Sequence, residues 1–190
     1  MRLLPLAALP SDYCASSPMA LTASVDGPHR ACRSASVARY MAAARQQTLP
    51  PDVVRDTKHR VLDTIAAMVS GARLKPGEMA IRFARSQGGT PESSILTTDL
   101  RTSAINAALV NAMFAHADET DDFEPVTKAH PGCATVPAAL AVGERENRSG
   151  IEFIRAVALG YDLCCRWLVA ATSSHIAWRY GATGASGRWL

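Results

Sequence analysis

Apolar residues recur at helical spacing along most of the chain, and glycine or proline interrupts the pattern between segments. Alanine is the largest contributor to the apolar residues, aromatic residues make up only 6%, and β-branched runs are short. This balance favours packed helices over sheets, so we expect an all-α, bundle-like domain. The pattern predicts helices over residues 34–47, 51–71, 76–86, 103–116, 131–146 and 150–171, and an extended segment over 93–98.

The same pattern predicts the domain boundaries. Residues 1–34 are rich in Ser, Pro and Ala and are expected to be a disordered N-terminal extension. Residues 35–171 are expected to be the helical domain, which is long enough to bury a core. Between 172 and 190 the residues Ser, Gly, Arg and Trp alternate without a period. We interpret this segment as the irregular tail of a truncated chain.

Charge and cysteine content argue against several classes of protein. The net charge is +3 and no basic stripe is interleaved with aromatic residues, so nucleic acid is not an expected partner. The N-terminal sequence MRLLPLAALP is broken by two prolines and is too short to span a bilayer, so no membrane association is expected. The five cysteines are odd in number and include no CxxC pair, which indicates a reducing compartment and a cytoplasmic protein.

The connection between the fourth and fifth predicted helices concentrates the polar chemistry of the chain. Residues 116–137 read HADETDDFEPVTKAHPGCATVP and combine carboxylates with two histidines and a lysine. Such groups are costly to bring together unless they bind something, so we expect the functional site here. His116 continues an apolar stripe of the fourth helix, and we expect it on the core-facing side. The stripe consists of Ile105, Ala108, Leu109, Ala112 and Met113.

The residue types in this connection predict acid–base chemistry on an anionic substrate. His130 lies at the start of the fifth helix, where free backbone N–H groups favour a carboxylate. Lys128 adds a positive charge nearby. A histidine beside aspartates is a group that exchanges protons near neutral pH. Pro125 and Pro131 restrict the loop and hold these groups in place.

Other chemistries are possible for the same residues. His116 and His130 are separated by fourteen residues, which is no recognised metal-ligand spacing, so we predict neither a metal nor another cofactor. Cys133 is interpreted as a small buried residue at a helix start rather than as a nucleophile. One alternative function is a helical enzyme that binds Mg²⁺ and a diphosphate through an acidic run, but no second acidic motif is present. The acidic run consists of Asp118, Glu119, Asp121 and Asp122.

Several motifs in this order resemble the MmgE/PrpD family, which includes 2-methylcitrate dehydratase, cis-aconitate decarboxylase and iminodisuccinate epimerase. The most specific are Ala115-His-Ala-Asp-Glu-Thr-Asp-Asp122 and His130-Pro-Gly132. The others are Leu49-Pro-Pro-Asp-Val-Val54, Leu62-Asp-Thr-Ile65, Arg101-Thr-Ser-Ala-Ile-Asn-Ala-Ala108, Val136-Pro-Ala-Ala-Leu140 and Gly160-Tyr-Asp-Leu-Cys-Cys-Arg166.

The resemblance implies a helical domain that forms homodimers, together with a smaller α/β lid domain that closes the site. It also implies a di- or tricarboxylate substrate and proton transfer next to a carboxylate, without an iron–sulfur cluster. On the family pattern, His130, Asp121 and Asp122 carry over as catalytic groups. His116 and Lys128 carry over as supporting and substrate-binding groups.

We therefore expect the N-terminal helical domain of an MmgE/PrpD-type carbon–oxygen lyase of the 2-methylcitrate dehydratase kind. The family's lid domain is absent from the sequence, so we expect this chain alone to turn over 2-methylcitrate or cis-aconitate at a negligible rate. One hypothesis is that a second polypeptide supplies the missing part. The alternative is a non-catalytic, truncated helical fragment that can only dimerise.

Overall fold

A computed structural model describes residues 37–125 and 128–173, with side chains described as far as residue 166. The predicted N-terminal extension, and the tail beyond residue 173, lie outside the described residues. Helix α1 spans 37–44 and belongs to a unit of its own, which ends at Leu49. The other described elements belong to the unit that begins at Pro50.

That second unit is helical, which confirms the predicted all-α class. Its short two-stranded sheet is antiparallel and pairs Ser93 with Thr102 and Ser94 with Arg101. The predicted helices are all present, with ends that differ from the predictions by a few residues at most. The elements are α2 Pro51–Gly71, α3 Lys75–Gln87, β1 Ser93–Ser94, β2 Arg101–Thr102, α4 Ala104–Ala115, α5 Pro131–Arg145 and α6 Gly150–Ser173.

Local sequence signals explain where the helices begin. Helices α2, α3 and α5 each carry a proline in the first turn, where the missing N–H group would have no intrahelical partner anyway. Ser103 caps α4, because its side chain accepts a hydrogen bond from the Asn106 N–H group. Ser149 and Glu152 form a capping box at the start of α6, with Ser149 N donating to Glu152 Oε2 at 2.9 Å.

Helix α4 lies at the centre of the packing and contacts α2, α3, α5 and the small sheet. The largest fully buried side chains of its core are Phe114 and Val110, which pack with Met68 of α2 and Val136 of α5. Within the described residues, no helix combines the length and the apolar run that a membrane span requires.

The predicted core stripe of α4 is wrong, and it was the basis for placing His116 toward the core. Ile105 is 80% exposed, and Leu109 and Met113 are also exposed. The buried face of α4 instead carries Ala107, Val110 and Phe114, together with Asn111 and further alanines. Because α4 is apolar on nearly every side, periodicity alone did not indicate which side faces the core.

The buried face of α2 likewise carries polar as well as apolar residues. Val69 is exposed and Val61 is only half-buried, whereas Thr64 and Met68 are fully buried. The side chain of Thr64 donates to the backbone carbonyl of Arg60 at 2.8 Å, so its hydroxyl is satisfied within the helix. Burial of this face places polar groups of α2 beside the connection between α4 and α5.

The segment that contains the sheet, residues 88–104, buries several polar groups and is called the hairpin segment below. Ser93 is fully buried and donates to the Ala141 carbonyl at 2.6 Å. Asn111 of α4 fastens this segment, since its Oδ1 accepts from Leu96 N and its Nδ2 donates to Ser94 O, both at 3.0 Å. These buried polar groups therefore form their hydrogen bonds within the fold itself.

Candidate active site

The connection between α4 and α5 is held at several points by its own hydrogen bonds. Glu124 N donates to Ala129 O and Lys128 N donates to Glu124 O, each at 2.8 Å, so the loop is drawn closed just before α5. Glu119 and Lys128 have positive φ angles of 55° and 61°, which non-glycine residues rarely adopt. Asp118 accepts from Ser70 of α2 at 2.6 Å, and this bond lowers the pKa of its carboxyl group.

Asp121 joins the two histidines of the connection. Its side chain is fully buried, and its Oδ1 lies 3.1 Å from His116 Nδ1 and 3.3 Å from His130 Nδ1. The two imidazole rings meet edge to face with centroids 4.9 Å apart. The structure therefore brings together three of the five predicted site residues around one carboxylate.

The two imidazoles differ in how well they bond to Asp121. His116 Nδ1 has hydrogen-bond geometry with both oxygens of the carboxylate. His130 Nδ1 is at ion-pair distance but has no hydrogen-bond geometry, and this buried atom has no hydrogen-bond partner among the described residues. Since Nδ1 is buried, the 22% of the His130 side chain that is exposed belongs to other parts of the ring.

Asp122 faces a different set of partners from its neighbour Asp121. Its Oδ2 accepts from Arg60 Nη1 of α2 at 2.8 Å, and its Oδ1 accepts from the Gly132 N–H group at 3.1 Å. This second bond satisfies one of the N–H groups at the start of α5, where we expected a substrate carboxylate. Asp122 thus occupies part of the predicted anion site and fixes the start of the helix that carries His130.

Gly132 is closely surrounded by polar side chains. A Cβ atom at this position would lie 2.5 Å from Asp122 Oδ1 and 2.7 Å from both Thr64 Oγ1 and Tyr161 Oη. The Tyr161 hydroxyl is buried without a hydrogen-bond partner in the described part of the chain. Burial and the nearby Asp122 carboxylate raise the pKa of Tyr161, so the phenol stays protonated. The Arg60 guanidinium stacks over its ring at 5.0 Å.

Lys128 does not reach the two imidazoles. It is exposed, and its Nζ lies 5.3 Å from the centre of the Phe123 ring. Phe123 in turn lies beside His130, with ring centroids 6.4 Å apart. The lysine is therefore placed at the rim of the site, one aromatic ring away from His130.

Cys133 lies three residues after His130, and its thiol donates to the His130 carbonyl at 3.2 Å. Burial, and then the charge of Asp121, raise the pKa of Cys133 to about 12. At neutral pH the sulfur is a protonated thiol, which is a poor nucleophile. This geometry supports the interpretation of Cys133 as a packing residue.

The acidic run does not form a carboxylate cluster of the kind that holds Mg²⁺ against a diphosphate. Asp118 is directed to α2, Asp121 to the histidines and Asp122 to Arg60, while Glu119 is exposed. Among the described residues, the group of side chains suited to one ion is instead His116, Asp121 and His130. The geometry therefore gives no support to the magnesium–diphosphate alternative.

Comparison with known proteins places this chain in a family. The chain matches the MmgE/PrpD N-terminal domain over residues 35–188. The chain belongs to the MmgE/PrpD family. It is 24% identical to a cis-aconitate decarboxylase-like protein of Aspergillus oryzae over 136 residues, which cover 68% of this chain and 28% of that protein.

Two cis-aconitate decarboxylases of Aspergillus terreus are also similar to this MmgE/PrpD chain. One is 24% identical over 144 residues, which cover 73% of this chain and 29% of the relative. The other is 27% identical over 119 residues, which cover 60% of this chain and 24% of the relative. The chain thus spans less than a third of the length of the curated relatives it matches.

Sequence reasoning missed the polar groups that α2 and α6 contribute to the site. Arg60 and Thr64 come from α2, and Tyr161 comes from α6. Tyr161 lies within Gly160–Arg166, one of the segments that resemble the MmgE/PrpD family, so that motif could have indicated it. Arg60 had no such signal, because an arginine in an amphipathic helix normally lies on the solvated face.

The arrangement is suited to moving a proton at one imidazole. A carboxylate that holds Nδ1 of an imidazole fixes its tautomer and leaves Nε2 to exchange protons with a substrate. Arg60 and Lys128 are the nearest cations to the site in the described connection and its α2 neighbour, although Arg60 is paired with Asp122.

Proposed function

We propose that this chain is the helical domain of a lyase that acts on a di- or tricarboxylate. The observation that carries the proposal is the buried Asp121 carboxylate, which lies 3.3 Å from His130 Nδ1 and 3.1 Å from His116 Nδ1. A partly exposed imidazole is a suitable group for passing a proton to or from a bound substrate. His130 is the proposed proton carrier. Asp121 has hydrogen-bond geometry with His116 Nδ1, so its proposed role is to orient His116, whose ring packs edge to face against His130.

The remaining site residues have supporting roles in this proposal. His116 shares the Asp121 carboxylate and limits the movement of His130 by ring contact. Asp122 and Arg60 fix the start of α5, so Asp122 is assigned a positioning role rather than direct proton transfer. Lys128, at the rim, supplies a positive charge for one carboxylate of the substrate.

Two reactions fit a proton carrier next to a substrate carboxylate. In decarboxylation, a C–C bond breaks, CO₂ leaves, and His130 delivers a proton to the carbon that carried it. In dehydration, His130 removes a proton beside a carboxylate and a hydroxyl group leaves as water after protonation. The similarity to two cis-aconitate decarboxylases favours cis-aconitate as substrate. The sequence motifs favour 2-methylcitrate as the second candidate.

The test is binding of each carboxylate to the purified 190-residue chain, followed by NMR of the imidazole C–H signals. We expect saturable shifts of the His116 and His130 signals on addition of cis-aconitate or 2-methylcitrate. His59, an exposed histidine of α2, is the internal control and its signal should not move. The corresponding methyl esters, which have no negative charge, should produce no shifts.

Variants then distinguish the site from general ion binding. His130→Ala and Lys128→Ala should each weaken binding of the carboxylate by about tenfold, whereas His59→Ala should leave it unchanged. Shifts that appear at His59 to the same extent, or binding that survives His130→Ala and Lys128→Ala, would overturn the proposal. In any protein context that supports turnover, His130→Ala should lower the rate by about 10²–10⁴-fold.

We also propose that two copies of the chain associate, as the family resemblance implies. The outer face of α4 carries Ile105, Leu109 and Met113, which are apolar, exposed and spaced to form one stripe. Ile105→Asp should shift the chain toward monomer in sedimentation equilibrium, and Arg82→Asp, at an exposed polar position of α3, should not. A wild-type chain that is monomeric at high concentration contradicts this part of the proposal.

A further inference from the structure

The charge of Asp121 lacks a cationic partner of its own. The side chain is fully buried, and in the described ranges 37–125 and 128–166 no lysine or arginine lies within ion-pair distance of it. Arg60, the nearest arginine of the site, pairs with Asp122 instead. A carboxylate buried without a cation is costly, so a bound cation at this position would stabilise the folded chain.

The atoms around Asp121 have the chemistry and the spacing of a metal site. One carboxylate oxygen and two imidazole nitrogens, from His116, Asp121 and His130, all lie within 4.8 Å of one another. Ligands at about 2.0–2.2 Å from a zinc ion are separated from each other by about 3–3.5 Å. The two separations from Asp121 Oδ1, 3.1 Å and 3.3 Å, fall in that range.

We propose that His116, Asp121 and His130 bind a divalent transition-metal ion, with zinc as the best fit. Two imidazoles and one carboxylate form a ligand set that suits zinc and leaves one tetrahedral position open. The three residues lie in one closed connection between α4 and α5, so folding alone assembles them. The proposal uses residues of the proposed function, but it concerns the metal alone and requires no carboxylate substrate.

The alternative explanation of the same contacts is that Asp121 only holds the two imidazoles through their N–H groups. That explanation fits His116, which has hydrogen-bond geometry with the carboxylate. It does not account for His130, because the buried His130 Nδ1 forms no hydrogen bond with any described group. A metal ion bound along the in-plane lone pair of Nδ1 would satisfy this atom, and it does not require that the lone pair point at the Asp121 oxygen.

The experiment titrates ZnCl₂ into the tag-free, chelator-treated 190-residue chain and follows the heat of binding. We expect one saturable site with micromolar or tighter affinity and a higher midpoint of thermal unfolding when zinc is present. His116→Ala, His130→Ala and Asp121→Asn should each weaken binding by about tenfold or more. Circular dichroism of each variant checks that the helices are retained.

Two controls separate this site from other ligands in the chain. His59→Ala should leave zinc affinity unchanged, because His59 lies outside the cluster. Cys133→Ser should retain saturable binding, because the thiol lies beside Asp121 but is not one of the three proposed ligands. With Co²⁺ in place of zinc, the visible spectrum should show d–d bands and lack a thiolate charge-transfer band.

The proposal is overturned if zinc does not bind saturably, if binding survives both His116→Ala and Asp121→Asn, or if Cys133→Ser abolishes it. Loss of carboxylate binding in the NMR test would leave the metal result untouched. Likewise, absence of zinc binding would leave the proton-transfer proposal standing. The two proposals therefore fail on different measurements.

Discussion

Two regions of this molecule bury polar groups, and they treat them in opposite ways. Ser93 of the hairpin segment and Asn111 of α4, which fastens that segment, are fully buried, and each of their hydrogen bonds ends on a backbone group of the fold. In the connection before α5, Asp121 is equally buried, yet the buried His130 Nδ1 has no hydrogen-bond partner among the described residues. Both regions therefore bury polar groups, but the buried His130 Nδ1 of the connection lacks the hydrogen bond that Ser93 and Asn111 have.

This difference separates polar groups that hold the fold from polar groups that are available for chemistry. A buried group with a complete set of partners contributes to stability and has no capacity left for a ligand. A buried group with an incomplete set lowers stability until something binds it. The comparison predicts that mutations which remove hydrogen bonds of the hairpin segment reduce stability. Mutation of Asp121 in the connection should instead affect ligand binding.

The largest effect is expected for Asn111→Ala. Removal of the fully buried amide leaves the Leu96 N–H and Ser94 carbonyl groups, whose residues are half-buried, without these partners. The free energy of unfolding should fall by about 3 kcal/mol, as for two unsatisfied buried groups. Urea denaturation followed by circular dichroism measures it.

Asn106→Ala is the matched control for that variant, because Asn106 lies on the same helix but its long bond to Gly88 O is exposed. It should change the free energy of unfolding by less than about 0.5 kcal/mol. Equal losses in the two variants would show that the hairpin segment does not depend on buried hydrogen bonds.

A smaller effect is expected for Gly132→Ala, at the point where α5 meets the connection. The added methyl group would collide with Asp122, Thr64 and Tyr161 and would push the start of α5 away from α2. Overpacking of this kind costs about 1–3 kcal/mol. Carboxylate binding, measured by the imidazole shifts, should weaken as well because His130 precedes this turn.

Gly143→Ala provides the comparison within the same helix. A Cβ atom at Gly143 would meet nothing within 4 Å, and a glycine in a helix interior is unfavourable by about 0.5–1 kcal/mol relative to alanine. That variant should be as stable as the wild type or more so. If Gly132→Ala were tolerated equally well, the close packing around the start of α5 would not matter for the site.

Prediction from the sequence succeeded where the signal was local. The prolines of α2 and α5, the Ser103 cap and the Ser149 capping box each act within one turn of helix, and the predicted starts of these four helices agree with the structure to within one residue. The acidic connection was also local, since His116, Asp121 and His130 lie close together along the chain. These features needed no knowledge of which helices touch.

Prediction failed where packing between distant segments decides the outcome. The choice of buried face on α4 depends on α2, α3 and α5, and its apolar surface extends round the helix. Arg60 meets Asp122 across 62 residues of sequence, and nothing near Arg60 indicates that contact. The different partners of Asp121 and Asp122 could not be predicted for the same reason. Only the fold shows that Asp122 pairs with Arg60 of α2, whereas Asp121 lies beside the two histidines.

The smallest and most informative effect comes from the neighbouring pair Asp122→Asn and Asp121→Asn. The first change weakens the ion pair with Arg60, which is partly exposed, and should cost about 1 kcal/mol. The second removes a buried charge that has no cation of its own, so the free energy of unfolding should stay within about 0.5 kcal/mol of the wild type or rise. Urea denaturation at neutral pH without metal measures both.

The order of the two variants in free energy of unfolding should then reverse when zinc is present. Bound zinc stabilises the wild type and Asp122→Asn, which keep all three ligands, but it should leave Asp121→Asn unchanged. A loss above about 2 kcal/mol in metal-free Asp121→Asn would instead mean that the carboxylate is already paired with a charged imidazole in the native chain. In that case the connection would resemble the hairpin segment in being internally satisfied, and the contrast between the two regions would no longer mark the site.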